Sequence, residues 1–318
     1  MRIGFFLATE EFAPDELIAQ ARAAEEAGFH GLWISDHYHP WNDEQGQSPF
    51  VWNVLGALSQ VTSRGPVTTA VTCPTVRIHP AVMAQAAATT AAMFGDRFRF
   101  GVGSGEALNE HVLGDPWPEA DVRLEMLEEA VEVIRDLWRG EVVNRRGRHY
   151  RVQHARIYTL PDAPPPIPVS GFGPKAVDLA ARIGDGYVTT MPDAELIERY
   201  RSNGGGDKVV QAGMKVCWGP DEAEARKTVL RIWPNEGLTG ELAQVLPTPE
   251  HFEQATELVT EEKVGEAVPC GPDLDRHAEA IQEFADAGVD ELYLQQIGGP
   301  DDDFFGRYAK EILGRFSG

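Results

Sequence analysis

Acidic and imidazole side chains follow the first, second and fourth apolar runs of the sequence. Glu10 follows the first run, Asp36 and His37 follow the second, and Glu106 follows the fourth. A carboxylate beside an imidazole can fix the tautomer of the ring, which would suit His37 to act as a general base. The alternative is an ordinary loop or core histidine. These residue types predict acid–base chemistry, provided that the fold brings them together.

A glycine-rich turn precedes Glu106. Gly101 and Gly103 begin the pattern G-x-G-x-x-G, but Glu106 stands where the third glycine belongs, and the turn follows the fourth strand. Both features argue against a Rossmann dinucleotide site. The backbone amides of Ser104 and Gly105 could still hold a phosphate, with the Glu106 carboxylate beside it. The alternative is a tight strand-to-helix turn with a solvated glutamate.

Two more side chains near His37 are candidates for a site. His37 and His39 could suggest a metal, but no third ligand follows at a useful spacing, so we expect no metal site. Trp41, after Pro40, is a candidate for the aromatic wall of a pocket. Its alternative is ordinary packing of a loop against the rest of the fold.

The elements that must position these residues alternate between strand and helix. Amphipathic segments separate the apolar runs, and the clearest has apolar residues at helical spacing from Leu124 to Leu137. Eight strand–helix units predict an α/β fold, a closed (β/α)8 TIM barrel with its active site at the carboxyl ends of the strands. The predicted strands are Arg2–Leu7, Gly31–Ser35, Val67–Thr72, Phe98–Val102, Pro168–Gly171, Gly186–Thr190, Gln211–Cys217 and Glu291–Ile297.

Two stretches interrupt the alternation. Val142–Val152 carries a hairpin signal at Arg146-Gly147, and Trp233–Val268 combines Pro, Gly and short helical pieces. The second stretch predicts an insertion before the last helix–strand pair. No Ser/Gly linker or low-complexity tract divides the chain, so we expect residues 1–318 to form a single barrel domain.

The chain is strongly acidic. Its 28 Lys and Arg against 50 Asp and Glu give a formal net charge of −22, which argues against nucleic acid or an anionic membrane as a partner. The three cysteines are widely spaced and form no CxxC pattern, which disfavours a disulfide framework. The sequence contains neither a signal-peptide pattern nor a run of about 18 apolar residues. We expect a cytoplasmic protein that acts on a small molecule.

Five segments of the sequence resemble a known family. They are EEFAPDEL (Glu10–Leu17), SDHYHPW (Ser35–Trp41), TAVTCPT (Thr69–Thr75), GVGSGEALNE (Gly101–Glu110) and GDGYVTT (Gly184–Thr190). The chain is similar, over about residues 2–200 and again over Asp273–Gly318, to the F420-dependent glucose-6-phosphate dehydrogenases of the luciferase-like TIM-barrel superfamily. The resemblance implies coenzyme F420, two-electron hydride transfer between a substrate carbinol and C5 of the deazaflavin, and a homodimer.

The resemblance also implies which residues hold the coenzyme. The deazaflavin ring would contact Asp36 and the strand end at Ala70–Val71, where the family has a non-prolyl cis peptide. The phosphate-bearing chain would run along two strand-to-helix turns. Their residues are Ser104, Gly105, Ala107, Leu108 and Asn109 in the first turn, and Ser170, Gly171 and Phe172 in the second.

Catalytic roles follow from the same resemblance. His37 would accept the proton of the substrate hydroxyl, and Glu106, in its protonated form, would supply a proton near N1 of the reduced ring. Trp41 would shield the developing charge and exclude water, and Glu10 would complete the pocket. Thr190, at the sixth strand end, would contact substrate.

One position departs from the family pattern. The sugar-phosphate enzymes have a Lys three residues after the Thr that matches Thr190, and here that residue is Asp193. A second phosphate-binding Lys of the family aligns near Val264 or Gly265, and Lys263 is close to that position but does not match it. Because Asp193 would repel a phosphate, glucose 6-phosphate is a doubtful substrate. A non-phosphorylated alcohol, or reduction of a carbonyl or activated alkene, fits at least as well.

Two other functions stay open at this stage. One is an FMN-dependent luciferase-like monooxygenase on the same barrel, and the other is a cofactor-binding barrel without catalysis. A flavin monooxygenase would not require a proton donor at N1, and a mere binder could dispense with His37 or Glu106. The presence of both residues therefore favours an F420-dependent oxidoreductase.

Overall fold

Ten strands and thirteen helices make up the part of the chain that the computed structural model describes, residues 1–316. The strands are β1 Arg2–Leu7, β2 Leu32–Ile34, β3 Val67–Thr69, β4 Phe98–Arg99, β5 Val143–Arg146, β6 Arg151–Ala155, β7 Pro168–Ser170, β8 Gly186–Thr189, β9 Val210–Val216 and β10 Glu291–Gln296. The helices are α1 Pro14–Ala27, α2 Val51–Val61, α3 Pro80–Phe94, α4 Ala107–Glu110, α5 Ala120–Leu137, α6 Pro174–Ile183, α7 Ala194–Tyr200, α8 Glu222–Ile232, α9 Leu242–Val245, α10 Pro249–Thr256, α11 Glu261–Ala267, α12 Leu274–Asp286 and α13 Ala309–Phe316.

Eight of the strands form one parallel sheet in the order β4-β3-β2-β1-β10-β9-β8-β7. The two edges meet just beyond β4, where the N–H of Val102 donates to the carbonyl of Pro168 and the N–H of Ser170 donates to the carbonyl of Val102. The sheet therefore closes into the predicted (β/α)8 barrel. The predicted hairpin is also present, as the antiparallel pair β5 and β6.

Two strands end three residues earlier than the sequence predicts. The third ends at Thr69 instead of Thr72, because the chain turns at a cis peptide between Ala70 and Val71. The resemblance implied this cis peptide, and the structure confirms it. The fourth ends at Arg99 instead of Val102, because Val102 makes only isolated bridges, to Thr72 and Val169.

The first helix shows how local sequence sets the element bounds. Pro14 occupies the first turn of α1, where its missing N–H costs nothing. The side chain of Glu16 accepts the N–H of Ala13 at 2.8 Å. Gly28 ends the helix in the left-handed conformation at φ 95°, which glycine adopts without a steric penalty.

The barrel interior is layered. At its middle Trp33 of β2 stacks on Tyr293 of β10, with ring centroids 4.8 Å apart. At the amino ends of the strands the buried Glu291 pairs with Arg99 at 2.6 Å and with Arg2 at 2.7 Å. Although burial opposes it, hydrogen bonds and the Arg99 charge lower the pKa of Glu291 to about 2. Paired charged side chains of the described residues therefore fill this end of the barrel.

The predicted insertion consists of short helices. A 3₁₀ turn at Pro234–Gly237 precedes α9, α10 and α11, which lie between α8 and α12. The hydroxyls of Thr248 and Thr260 cap α10 and α11. Among residues 1–316, no helix combines the length and the apolar character needed to cross a membrane.

Candidate active site

Three acid–base side chains meet at the carboxyl end of the barrel. Glu10 follows β1, His37 follows β2, and Glu106 immediately precedes α4. The Nε2 atom of His37 lies 3.3 Å from Oε1 of Glu10 and 3.6 Å from Oε1 of Glu106. The side chains of Glu10 and His37 are 4% and 10% exposed, whereas that of Glu106 is 27% exposed. One imidazole and two carboxylates therefore lie close enough together to be candidates for acid–base chemistry.

A hydrogen bond from the Ser35 hydroxyl holds the Glu10 carboxylate in place. Ser35 Oγ donates a hydrogen bond of 2.5 Å to Oε2 of Glu10, and Ser35 Oγ in turn accepts the N–H of Thr9 at 2.9 Å. Oε1 of Glu10 is left to face His37. The first two strand ends thus fix one carboxylate oxygen and present the other to the imidazole.

Asp36 does not act on the imidazole that follows it. Its carboxylate accepts the Thr72 hydroxyl at 2.8 Å and pairs with Arg77 at 2.9 Å. The sequence-based expectation that Asp36 fixes the tautomer of His37 is therefore wrong, because consecutive side chains at this strand end point in different directions. The carboxylates beside His37 are those of Glu10 and Glu106.

Arg77 and Glu110 form a buried network behind Asp36 that the sequence did not indicate. The side chain of Arg77 is 7% exposed. The backbone N–H of Arg77 donates to Oε2 of Glu110 at 2.8 Å, and the guanidinium lies 3.5 Å from Oε1. Burial raises the pKa of Glu110 to about 7, although the Arg77 charge opposes the shift. Through Arg77, this network holds the Asp36 carboxylate in place at the site.

The turn after β4 delivers Glu106 and then a short helix into the site. Gly105 has φ 77°, and a Cβ on it would lie 2.6 Å from Sγ of the buried Cys73, so only glycine fits there. Ala107 and Leu108 are buried. The buried side chain of Asn109 contacts His37 and Glu106, so it faces the acid–base cluster.

An apolar floor lies inside the mouth. Ala70 and Val71, on either side of the cis peptide, pack with Phe6 against a cluster of Trp33, Val188 and Tyr293. The side chains on this surface are only partly buried, so the surface is accessible from the mouth of the barrel. They belong to Phe6, Ala70 and Val71. A flat aromatic ring could lie on it, beside Asp36.

The second strand-to-helix turn offers backbone amides at the same rim. Ser170 ends β7, Gly171 is buried, and Phe172 is 45% exposed. No described side chain caps α6, which begins at Pro174 after Gly173, so its first amides are available to an anion. The nearby Lys175 is exposed and pairs with Asp121 at 2.8 Å. A flat ring with a phosphate-bearing chain therefore fits the donors and surfaces of this mouth.

The insertion forms the outer wall of the mouth. Trp41 lies between His37 and Phe252 of α10, with ring centroids 5.1 Å and 5.0 Å away. Helix α9 packs on α4, and Gln244 of α9 accepts a hydrogen bond from Arg123 at 3.1 Å. Leu242 is 38% exposed. The wall therefore closes the side of the mouth next to the acid–base cluster.

Two inward-facing residues of β9 and β10 were missed by the sequence analysis. Lys215 and Gln295 are partners in the strand register. Lys215 pairs with Glu236 at 2.9 Å and lies 4.4 Å from the ring centroid of Trp233. Gln295 is 1% exposed, and neither side-chain polar atom has a partner among the described residues. Strand alternation, which places both side chains inside the barrel, was the available signal.

The predicted substrate-side residues lie on the rim after β8. Thr190 is exposed. Asp193 caps α7, because its Oδ1 accepts the N–H of Leu196 at 2.9 Å. Lys263, near the second expected phosphate contact, is half exposed on α11 and pairs with Glu266. At the first of the two expected phosphate contacts the chain therefore has a helix-capping carboxylate, and Lys263, which lies close to the second but does not match it, is paired with a glutamate.

The barrel with this mouth defines a luciferase-like protein, and comparison with known proteins agrees. Residues 1–291 match the family described as luciferase-like monooxygenase. A curated F420-dependent glucose-6-phosphate dehydrogenase of Microbacterium testaceum is 36% identical over 99% of this chain and 97% of its own length. The enzyme of the same name from Mycobacterium avium is 32% identical over 99% and 98%. The chain belongs to the F420-dependent glucose-6-phosphate dehydrogenase family of luciferase-like TIM barrels.

Solved structures give the same result. An F420-dependent secondary alcohol dehydrogenase, in complex with an F420–acetone adduct, is 31% identical and superposes with a TM-score of 0.88. The match covers 98% of this chain and 97% of that one. A coenzyme F420-dependent tetrahydromethanopterin reductase from Methanopyrus kandleri has a TM-score of 0.76 at 20% identity, which supports the fold alone.

Proposed function

We propose that this F420-dependent oxidoreductase transfers a hydride between a substrate carbinol and C5 of the deazaflavin. The observation that carries the proposal is the cluster of Glu10, His37 and Glu106 beside an apolar floor at the barrel mouth. When bound, coenzyme F420 supplies the two-electron acceptor or donor. The chain must then bind the ring, orient the carbinol and handle one proton.

The residues proposed to hold the coenzyme line the floor and the two turns. Asp36, fixed by Thr72 and Arg77, would meet the polar edge of the ring, and Ala70 and Val71 would support its face. The phosphate-bearing chain would lie on the two rim turns and the start of α6. The residues of these turns are Ser104, Gly105, Ala107, Leu108, Asn109, Ser170, Gly171 and Phe172.

The proton of the substrate hydroxyl needs an acceptor in the site. We assign it to the pair of His37 and Glu10, which is nearly buried and 3.3 Å apart. Glu106 is more exposed and sits at the rim turn, where it can exchange a proton with the coenzyme edge and with solvent. Trp41 excludes water from the cluster by packing between His37 and Phe252.

The favoured substrate is an alcohol without a phosphate. Asp193 caps α7 at the rim, and a phosphate there would meet its negative charge. The similar structure named as an F420-dependent secondary alcohol dehydrogenase, in complex with an F420–acetone adduct, supports this choice. The curated relatives named for glucose 6-phosphate make that sugar phosphate the necessary comparison substrate.

A binding titration tests the cofactor. The protein is mixed with F420 and, separately, with FMN, and ring fluorescence is followed. We expect saturable binding of F420 at concentrations where FMN does not bind. Tight binding of FMN without binding of F420 would refute the proposal and favour the flavin monooxygenase.

An anaerobic screen tests the reaction. Bleaching of oxidised F420 is followed with secondary alcohols, polyols and sugar phosphates, and the reverse reaction is followed with the matching carbonyls. We expect turnover with an unphosphorylated alcohol. Turnover of glucose 6-phosphate at a higher kcat/KM would show that the argument from Asp193 is wrong.

We also propose a cytoplasmic homodimer. Cys217 and Cys270 lie on neighbouring bridged segments yet are free thiols, as is Cys73, which suits a reducing compartment. Val82 and Met93 of α3 expose 54% and 43% of their surface, a candidate contact between copies. Light scattering on the purified protein measures the oligomer, and a monomeric mass would overturn the dimer.

A further inference from the structure

We propose that Asn109 sets the tautomer of His37, keeping Nδ1 without a proton and placing the ring proton on Nε2. Asn109 is then a positioning residue for the acid–base cluster, acting through His37 and Glu106. The tautomer follows from the hydrogen bonds alone, whereas its consequence for turnover rests on the proposed function.

The orientation of the Asn109 amide is fixed by the backbone. Its Oδ1 accepts the N–H of Tyr38 at 2.7 Å and the N–H of His39 at 3.0 Å. A flipped amide would point its own N–H₂ at these two donors, leaving both N–H groups without this acceptor. Nδ2 must therefore face the opposite way, toward the cluster.

Both protons of Nδ2 then have defined acceptors. Nδ2 lies 2.7 Å from Oε1 of Glu106 and 2.9 Å from Nδ1 of His37. Because an amide nitrogen only donates, Nδ1 of His37 must accept with its lone pair. A neutral imidazole carries one proton, so that proton lies on Nε2, which faces Oε1 of Glu10 at 3.3 Å.

The structure also contains the competing arrangement. The carbonyl of His39 lies 3.2 Å from Nδ1 of His37 and would accept a proton from that nitrogen. Such a proton would point two donors, Nδ1–H and Nδ2–H, at each other across 2.9 Å. Nδ1 of His37 thus has a donor in Asn109 at 2.9 Å and an acceptor in the His39 carbonyl at 3.2 Å. The shorter contact, from Asn109, favours the tautomer without a proton on Nδ1.

This assignment corrects the sequence-based expectation that His37 itself accepts the proton of the substrate hydroxyl. With Nε2 protonated and Nδ1 accepting from Asn109, the free lone pairs of the His37–Glu10 pair are those of the Glu10 carboxylate, which would take that proton. In the resting enzyme His37 presents an N–H rather than a free lone pair to the space beside Glu10. The Nε2–H of His37 is then presented to the space beside Oε1 of Glu10, 3.3 Å from Nε2, before a substrate binds. Asn109 couples that arrangement to Glu106, since one amide group holds both side chains.

The test measures the tautomer directly in the protein without coenzyme. Protein labelled with ¹⁵N-histidine is studied by NMR at a pH where His37 is neutral, and His37 is assigned by difference from a His37→Gln variant. Protonated and bare ring nitrogens resonate in well-separated ranges. In the unaltered protein we expect a bare Nδ1 and a protonated Nε2.

Two variants should reverse this pattern. Asn109→Ala removes the donor and leaves the His39 carbonyl as the partner of Nδ1. Asn109→Asp keeps an acceptor for the N–H groups of Tyr38 and His39 but presents a second oxygen to Nδ1. Both should move the proton to Nδ1. Ser48→Ala, which removes the 2.8 Å bond from Ser48 Oγ to the His37 carbonyl, should leave the tautomer unchanged.

A proton on Nδ1 in the unaltered protein, or on Nε2 in both Asn109 variants, would overturn the proposal. If Asn109→Ala does not fold, Asn109→Asp decides, because it retains both backbone contacts. Under the proposed function, Asn109→Asp should lower kcat at least tenfold while Ser48→Ala stays near the unaltered rate. The Asn109 variants could reverse the tautomer while the unaltered enzyme shows no F420-dependent turnover. That result would refute the proposed function and leave the tautomer assignment standing.

Discussion

Replacing Glu110 by Gln should make the protein progressively more stable than the original as the pH rises. Glu110 is 1% exposed and has the backbone N–H and guanidinium of Arg77 as its polar neighbours. Burial raises the pKa of its carboxyl group to about 7, from an ordinary value of 4.5. Gln has the same shape, accepts the same backbone N–H and does not ionise.

The magnitude follows from proton linkage. Since the folded protein binds the Glu110 proton more tightly than the unfolded chain, stability falls as the pH rises from the unfolded pKa to the folded one. A shift from 4.5 to about 7 corresponds to about 3 kcal/mol once the folded carboxyl is ionised. Between about pH 5 and pH 8 the stability of Glu110→Gln relative to the original should grow by about 2–3 kcal/mol.

Urea denaturation at a series of pH values measures this difference. Glu129→Gln is the matched control, since hydrogen bonds from the N–H groups of His149 and Tyr150 lower the pKa of Glu129 against the effect of its burial. Its carboxylate is ionised in both states above about pH 5, so its difference from the original should be flat. A flat difference for Glu110→Gln as well would refute the argument that burial governs this group.

Three further predictions concern the site. Arg77→Met leaves Asp36 and Glu110 buried without a cation and should cost about 3–5 kcal/mol in urea denaturation, part of which Glu110→Gln should restore in the double variant. His37→Gln should lower kcat by about 10²–10⁴ with little change in F420 affinity by fluorescence titration, and an unchanged kcat would remove His37 from the mechanism. Asp193→Lys should bind glucose 6-phosphate more tightly than Asp193→Asn, the control that keeps the helix cap. Inhibition or turnover by glucose 6-phosphate measures the binding. Equal binding constants for the two variants would show that Asp193 does not contact the substrate.

The sequence was sufficient for the barrel because its signals are local. Hydrophobic periodicity and the glycines and prolines at element ends identify eight strand–helix units and the insertion, and parallel strands place Glu10, His37 and Glu106 at one end. The strands were predicted too long where irregular backbone begins, as at Ala70–Val71. Periodicity carries no information about such a break.

The pairing of side chains could not be predicted in the same way. Asp36 adjoins His37 in sequence, but in space it contacts Thr72 and Arg77. The burial of Arg77 depends on how the loop after β3 packs against α4, and nothing in the residues around it distinguishes it from an exposed arginine. The contacts of Asn109 likewise join two loops that are 71 residues apart.

The charges at the mouth support the proposal that this acidic protein holds an anionic coenzyme and disfavours a phosphorylated substrate. The cations around the mouth are engaged: Arg77 with Asp36, Lys215 with Glu236, and Lys175 with Asp121. A phosphate held by a side chain would have to displace a carboxylate. In the described part of the chain, the backbone amides at the start of α6 are not paired with a capping carboxylate, so a phosphate there displaces none. Amides at the turns and at this helix start can therefore bind a phosphate diester despite the net charge of −22. The same balance of charges supports the proposal that the substrate is a neutral alcohol.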